Sequence, residues 1–292
     1  MNRALRMQGA LFCAIAASGV GASMFLQRIP PRAELLGIAV LIVFLGVPHG
    51  ALDTAFARQR FGLDTPRAWA GFVLGYGFVM VGVVLLWSVA PALFLAGFLV
   101  VSALHFSGDP VSGTPGILRL VQGGSVLVLP ALRHDDELTR LFVMLVGPDA
   151  AGAVAPVMSA IALPWAVAVV VCAVMVWRRS PQTALELAAV ASLACAAPPL
   201  LGFALFFCGM HSPRHMLRTA TWARAAERRL VPGTVFVPML GIALLGALAW
   251  HVGGDIPLEP KAIQLIFVGL ASVTVPHMAL VEPIRLNGWP DG

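Results

Sequence analysis

The stretch that decides the fold is AWAGFVLGYGFVMVGVVLLWSVAPALFLAGFLVVSALHFSG, Ala68–Gly108, which contains no Asp, Glu, Lys or Arg. A helix needs roughly 20 apolar residues to cross a bilayer, so this run is long enough for two. It divides near Ala90-Pro91, because proline fits best in the first turn of a helix. Working outward, further uncharged runs lie at 7–27, 35–52, 120–132, 150–177, 187–213, 230–254 and 262–281. The whole chain of 292 residues is 59% hydrophobic and 11% charged, less than half the roughly 25% charge usual in soluble domains. The expected fold class is all-α, a polytopic transmembrane helical bundle of about eight spans. The short runs at 109–149 are expected to form a re-entrant or interfacial segment. Residues 1–292 read as a single membrane-embedded domain. The run after Arg3 and Arg6 is of span length without a clear small-residue cleavage site, and so reads as a retained first helix rather than a secretory signal.

The net charge of +5 comes from arginines scattered through short loops, without aromatic interleaving, which argues against nucleic acid as a partner. In a membrane protein such charges report topology. With an even number of crossings most of them share one side with both termini, and Arg28, Arg32, Arg178, Arg179 and Lys261 fall on the other. The positive-inside rule makes the arginine-rich side cytoplasmic, as in a multi-pass protein of a bacterial inner membrane. Cys13, Cys172, Cys195 and Cys208 sit inside apolar runs and form no C-x-x-C pair, as buried inert thiols do.

The chemistry is carried by histidines. Imidazole is costly to bury in hydrocarbon without a partner, yet His49, His105, His211, His215 and His277 all stand toward the C-terminal ends of apolar runs. On the even-crossing topology these ends share one layer, so the expected common partner is a metal ion. His211 and His215 are four apart, the spacing that puts two rings on one helical face. Pro213 between them either opens a new helix or kinks a continuing one. Asp53 and Asp109 follow His49 and His105 at i+4, where a carboxylate can accept the second N–H of a ligand imidazole and fix its tautomer. His134, in a charged loop, and His251, at the opposite side, read as solvated or interfacial. Arg214 reads as a side chain that snorkels to the interface, and Tyr76 as packed and hydrogen-bonded.

Neutral imidazoles suit Fe, Zn, Cu or Ni. There is no H-E-x-x-H for a zinc protease and no G-x-S-x-G for a serine hydrolase. A site without an anionic ligand, facing the membrane interior, suits redox chemistry on an apolar substrate arriving from the lipid. Two other readings use the same histidines: a membrane transporter with a polar path, or a metal- or haem-binding membrane protein.

At P-H-G-A-x-D (Pro48–Asp53), S-A-x-H-F (Ser102–Phe106), H-S-x-R-H (His211–His215) and P-H-M (Pro276–Met278) the chain resembles the Brp/Blh family of membrane enzymes, from about Val47 to Glu282. The resemblance implies an iron-dependent β-carotene 15,15'-dioxygenase that uses Fe(2+) and O2 to cut the central double bond and release two all-trans-retinal molecules. It implies His49, His105, His211 and His215 as iron ligands, with His277 a further ligand or a substrate-facing residue. It further implies β-carotene or a related polyene drawn from the lipid bilayer, and a rhodopsin apoprotein as retinal acceptor. One departure is Ser107, where the family pattern has glycine directly after the phenylalanine.

Overall fold

The structure, a computed structural model, describes residues 3–25, 30–111, 113–225 and 233–286, and among these every regular element is helical. The expected runs 7–27 and 230–254 extend at 26–27 and 230–232 beyond the described residues. In chain order the helices are α1 (Arg3–Phe25), α2 (Pro31–Leu41), α3 (Pro48–Ala51), α4 (Asp53–Phe61), α5 (Pro66–Val89), α6 (Pro91–Phe106), α7 (Gly116–Val128) and α8 (Asp135–Val146). There follow α9 (Pro148–Trp177), α10 (Pro181–Ala196), α11 (Pro199–Phe206), α12 (Ser212–Ala225), α13 (Gly233–Val252) and α14 (Leu258–Leu286). Two π turns, Ile42–Gly46 and Phe207–His211, carry α2 into α3 and α11 into α12.

Proline sets most of the boundaries. Pro66, Pro91, Pro148, Pro181 and Pro199 each open a helix, where the missing N–H belongs to a group with no intrahelical partner anyway. Thr65 caps α5 by accepting from Ala68 N at 3.2 Å, and α4 stops at Gly62, whose φ of 58° suits a residue without Cβ. The 68–108 run divides at Ala90-Pro91 as expected.

The helical membrane architecture stands, but its spans are arranged differently from the sequence reading. Among the described residues six helices are long and apolar enough to cross a bilayer, seven with α7 and α8 taken as one broken span bent by 108°. The expected span 187–213 is two helices that reverse direction at Ala197-Pro198. Glu186 lies beside Gly9 and Leu193 beside Gly19, so α10 runs parallel to α1, whereas Leu205 beside Gly19 and Met210 beside Gln8 make α11–α12 antiparallel to it.

The segment 109–149, expected to dip without crossing, runs from one end of the bundle to the other. Asp109 lies against Arg214, and Leu145 O accepts from Trp87 Nε1 at the far end of α5. Its short apolar runs reflect the bend of 108° between α7 and α8. The main core gathers Phe12, Ile42, Phe94, Leu95, Phe206 and Met210 from α1, the first π turn, α6 and the α11 region.

Candidate metal centre

The five membrane-embedded histidines meet at one end of the bundle. Ring centroids are 4.5 Å apart for His105 and His211, 5.0 Å for His49 and His211, 5.4 Å for His49 and His215, and 5.1 Å for His215 and His277. All five are buried. Candidate donor atoms of His49, His105 and His277 all lie within 4.8 Å of one another. His134 stays apart, beside Glu137, and His251 is exposed at the end of α13.

Local backbone structure aims the rings. His49 follows the first π turn and contacts Gly46 O through Nδ1 at 2.5 Å. His211 closes the second π turn, and α12 begins at Ser212 with Pro213 in its first turn, so the two histidines of H-S-x-R-H sit on either side of a π-to-α junction. The two π turns pack on each other: Ser212 Oγ donates to Leu45 O at 2.5 Å, and Gly46 leaves room for the Phe207 ring. His105 is held by a close approach of α7 to α6. A Cβ on Gly123 would stand 2.5 Å from Ala103 O and from Ser107 N. Ser107, the departure from the family pattern, has φ −62° and ψ −11°, a conformation that needs no glycine.

Carboxylates support the rings, but across helices rather than along them. Asp53 reaches His277 Nδ1 at 2.6 Å, and Tyr76 donates to its other oxygen at 2.9 Å. Asp109 contacts His211 Nδ1 at 3.0 and 3.2 Å. The expected pairings of Asp53 with His49 and Asp109 with His105 fail because neither helix is continuous there. The chain tightens at Leu52, whose N–H bonds to His49 O, and α6 ends at Phe106 before Asp109.

The donor set suits a transition metal. With Nδ1 of His49, His211 and His277 turned outward to oxygen acceptors, their Nε2 lone pairs face inward. His277 Nε2 is buried without a hydrogen-bond partner, and His211 Nε2 stands 2.9 Å from His105 Nε2. His105 Nε2 can donate to the His211 lone pair, and a shared cation would take the place of that proton where the rings converge.

Sequence reasoning missed Glu186 and Gln8. Arg214 does not snorkel: it is 1% exposed and pairs with Glu186 at 2.9 Å through both terminal nitrogens. The signal was present, since a lone acid within the apolar run Ala184–Cys195 requires a partner.

An apolar cavity of about 50 Å3 opens at the histidines, with His49, His105, His277 and Tyr76 in its wall. Phe98 and Phe203 stand between it and a second cavity of about 70 Å3 lined throughout by apolar side chains.

A family model described as Beta-carotene 15,15'-dioxygenase matches residues 40–284. A protein named Beta-carotene 15,15'-dioxygenase from an uncultured marine bacterium is 31% identical over 264 residues, covering 83% of this chain and 90% of that protein. A protein named Probable beta-carotene 15,15'-dioxygenase Blh from Halobacterium salinarum is 23% identical over 301 aligned residues, covering 86% of this chain and 84% of that protein. No solved structure matches the chain.

Proposed function

The chain belongs to the beta-carotene 15,15'-dioxygenase family, and from that premise we propose that it cleaves β-carotene or a related carotenoid at the central 15,15' double bond, using O2 and Fe(2+), to give two all-trans-retinal molecules. The observation that carries this reading is the convergence of five buried imidazoles, of which His49, His105 and His277 stand in the wall of an apolar cavity. A transporter would need polar groups spread along a path, whereas these gather at one end.

His49, His105, His211 and His215 would hold the iron, and His277 would stand as a further ligand. Bound Fe(2+) supplies the redox chemistry that lets dioxygen react with a hydrocarbon double bond. The protein's own residues do the rest. Gly46 O, Asp109 and Asp53 hold three of the imidazoles by Nδ1, which fixes their tautomer and raises their basicity as ligands. Phe98, Phe106, Phe203 and Phe207 line the cavity next to the histidines, exclude water, and offer flat apolar walls to a rigid polyene. The second cavity continues the apolar lining beyond Phe98 and Phe203, the direction in which one arm of a long polyene would lie. The substrate would enter from the lipid, past exposed apolar faces such as those of α5 and α13.

The test is expression in a bacterium that accumulates β-carotene, with the pigments separated by chromatography. Loss of carotene and gain of two retinal molecules per carotene consumed is the expected result. Unchanged carotene beside well-expressed, iron-loaded protein overturns the reading.

A further inference from the structure

We propose that Gln8, on a helix outside the family-matched residues 40–284, is a positioning residue for the histidine site, acting through the second π turn. The reason begins with Pro213. Lacking an N–H, it cannot serve Gly209 O, the carbonyl four residues back that an α-helix would offer it. Gln8 reaches across from α1 and supplies a donor there: Nε2 donates to Gly209 O at 2.9 Å and to Met210 O at 3.3 Å. These are the two residues that precede His211.

The other end of the same amide is equally committed. Gln8 Oε1 accepts from Arg214 Nε at 2.8 Å. Arg214 pairs with Glu186 and donates from Nη1 to Asp109 O at 3.1 Å. Arg218, one turn on, donates to Gly108 O at 2.6 Å and to Asp109 O and Pro110 O at 3.1 Å. One buried amide thus braces the backbone before His211 and, through Arg214, the backbone of the aspartate that holds the same ring. The next residue is shaped for this network: a Cβ on Gly9 would meet Gln182 Nε2 at 2.7 Å and Arg214 Nη2 at 2.9 Å. A buried polar group that loses its partner must be resolvated or left unsatisfied, so removing the amide loosens the π turn rather than some distant region.

The inference rests on the iron-site reading only where it concerns the metal, and the test separates the two. Gln8→Leu keeps the bulk and removes the hydrogen bonds. Leu5→Ala, a buried apolar truncation on the same helix, controls for general loosening of α1. In metal-free protein, amide hydrogen exchange at 207–212 should rise at least about tenfold in Gln8→Leu, by loss of local protection. Leu5→Ala should leave that segment protected relative to α5 and α9. In iron-loaded protein, Gln8→Leu should lower iron affinity about tenfold and alter the paramagnetic resonance spectrum of the nitric oxide adduct, neither of which Leu5→Ala does. If Gln8→Leu does not accumulate, Gln8→Glu retains the acceptor for Arg214, replaces the donors by a carboxylate oxygen facing the Gly209 and Met210 carbonyls, and should give the same pattern. Wild-type exchange at 207–212 in these variants, or the same change in Leu5→Ala, overturns the proposal. A wild-type chain that takes up no iron would sink the iron-site reading, while the exchange result still decides the role of Gln8.

Discussion

At the scale of single residues, the site is a problem of holding imidazoles by one nitrogen so that the other is free to bind. Asp109 does this for His211, and the structure gives it two contacts with one ring. Asp109→Asn keeps an oxygen for the Nδ1 proton but removes the negative charge that makes the imidazole a better donor. Iron affinity, measured by chelator competition, should fall by about 10- to 100-fold. His49→Ala and His215→Ala should each abolish retinal formation in carotene-producing cells, while His134→Ala, a half-buried ring beside Glu137 and apart from the other five, should leave it intact. The histidines were legible in the sequence because imidazole within hydrocarbon signals itself. Their supporting acids were legible as residues but not as pairs: i+4 geometry presumes an unbroken helix, and the chain turns at Leu52 and at Ser107.

At the scale of elements, the two π turns are what direct histidines from separate segments toward one point. Each contains one residue more per turn than an α-helix, which rotates everything after it. Nothing in composition marks them, although Pro48 and Pro213, each two residues past a π turn, disturb the i−4 ladder just where the turns widen. Phe44 lies in the first π turn and is 70% exposed, so deleting it removes no core contact. The deletion should restore α register and turn His49 by about 100° relative to α2. The expected outcome is a chain that still inserts and accumulates but retains no iron and forms no retinal, as metal analysis and pigment chromatography would read. The contact of α7 with α6 gives a matching prediction for stability. A Cβ at Gly123 meets main-chain atoms that cannot swing aside, so Gly123→Ala should cost about 1–3 kcal/mol and lower the melting temperature in detergent.

At the scale of the whole molecule, hydropathy identified a membrane bundle and its apolar runs, but not which runs traverse it. The sequence cannot show that the run 187–213 folds back at Ala197-Pro198, nor that 109–149 bends halfway, because both depend on what each half packs against. The two differences offset each other: one adds a traverse before α9 and the other adds one after it. Gln182 donates to Arg6 O at 2.9 Å, so the α9–α10 corner lies at the same end as the start of α1. Arg178 and Arg179 therefore join Arg3, Arg6, Arg58, Arg60 and Arg67 instead of opposing them. The other end holds Arg32 in the first turn of α2, Arg140, paired with Glu259, and Lys261. His277, close to the end of α14, lies among the histidines at the Arg6 end, so α1 begins and α14 finishes on the same side. By the positive-inside rule the arginine excess predicts that this end faces the cytoplasm, and this expected orientation can be tested where the two topologies disagree. A fluorescent protein that matures only in the cytoplasm should glow when fused at either terminus, on both topologies. Inserted at Arg179-Ser180 it should also glow, and alkaline phosphatase at the same position should be inactive. The reverse pattern at that corner would mean that α9 and α10 stand the other way up, and that 109–149 makes no net crossing.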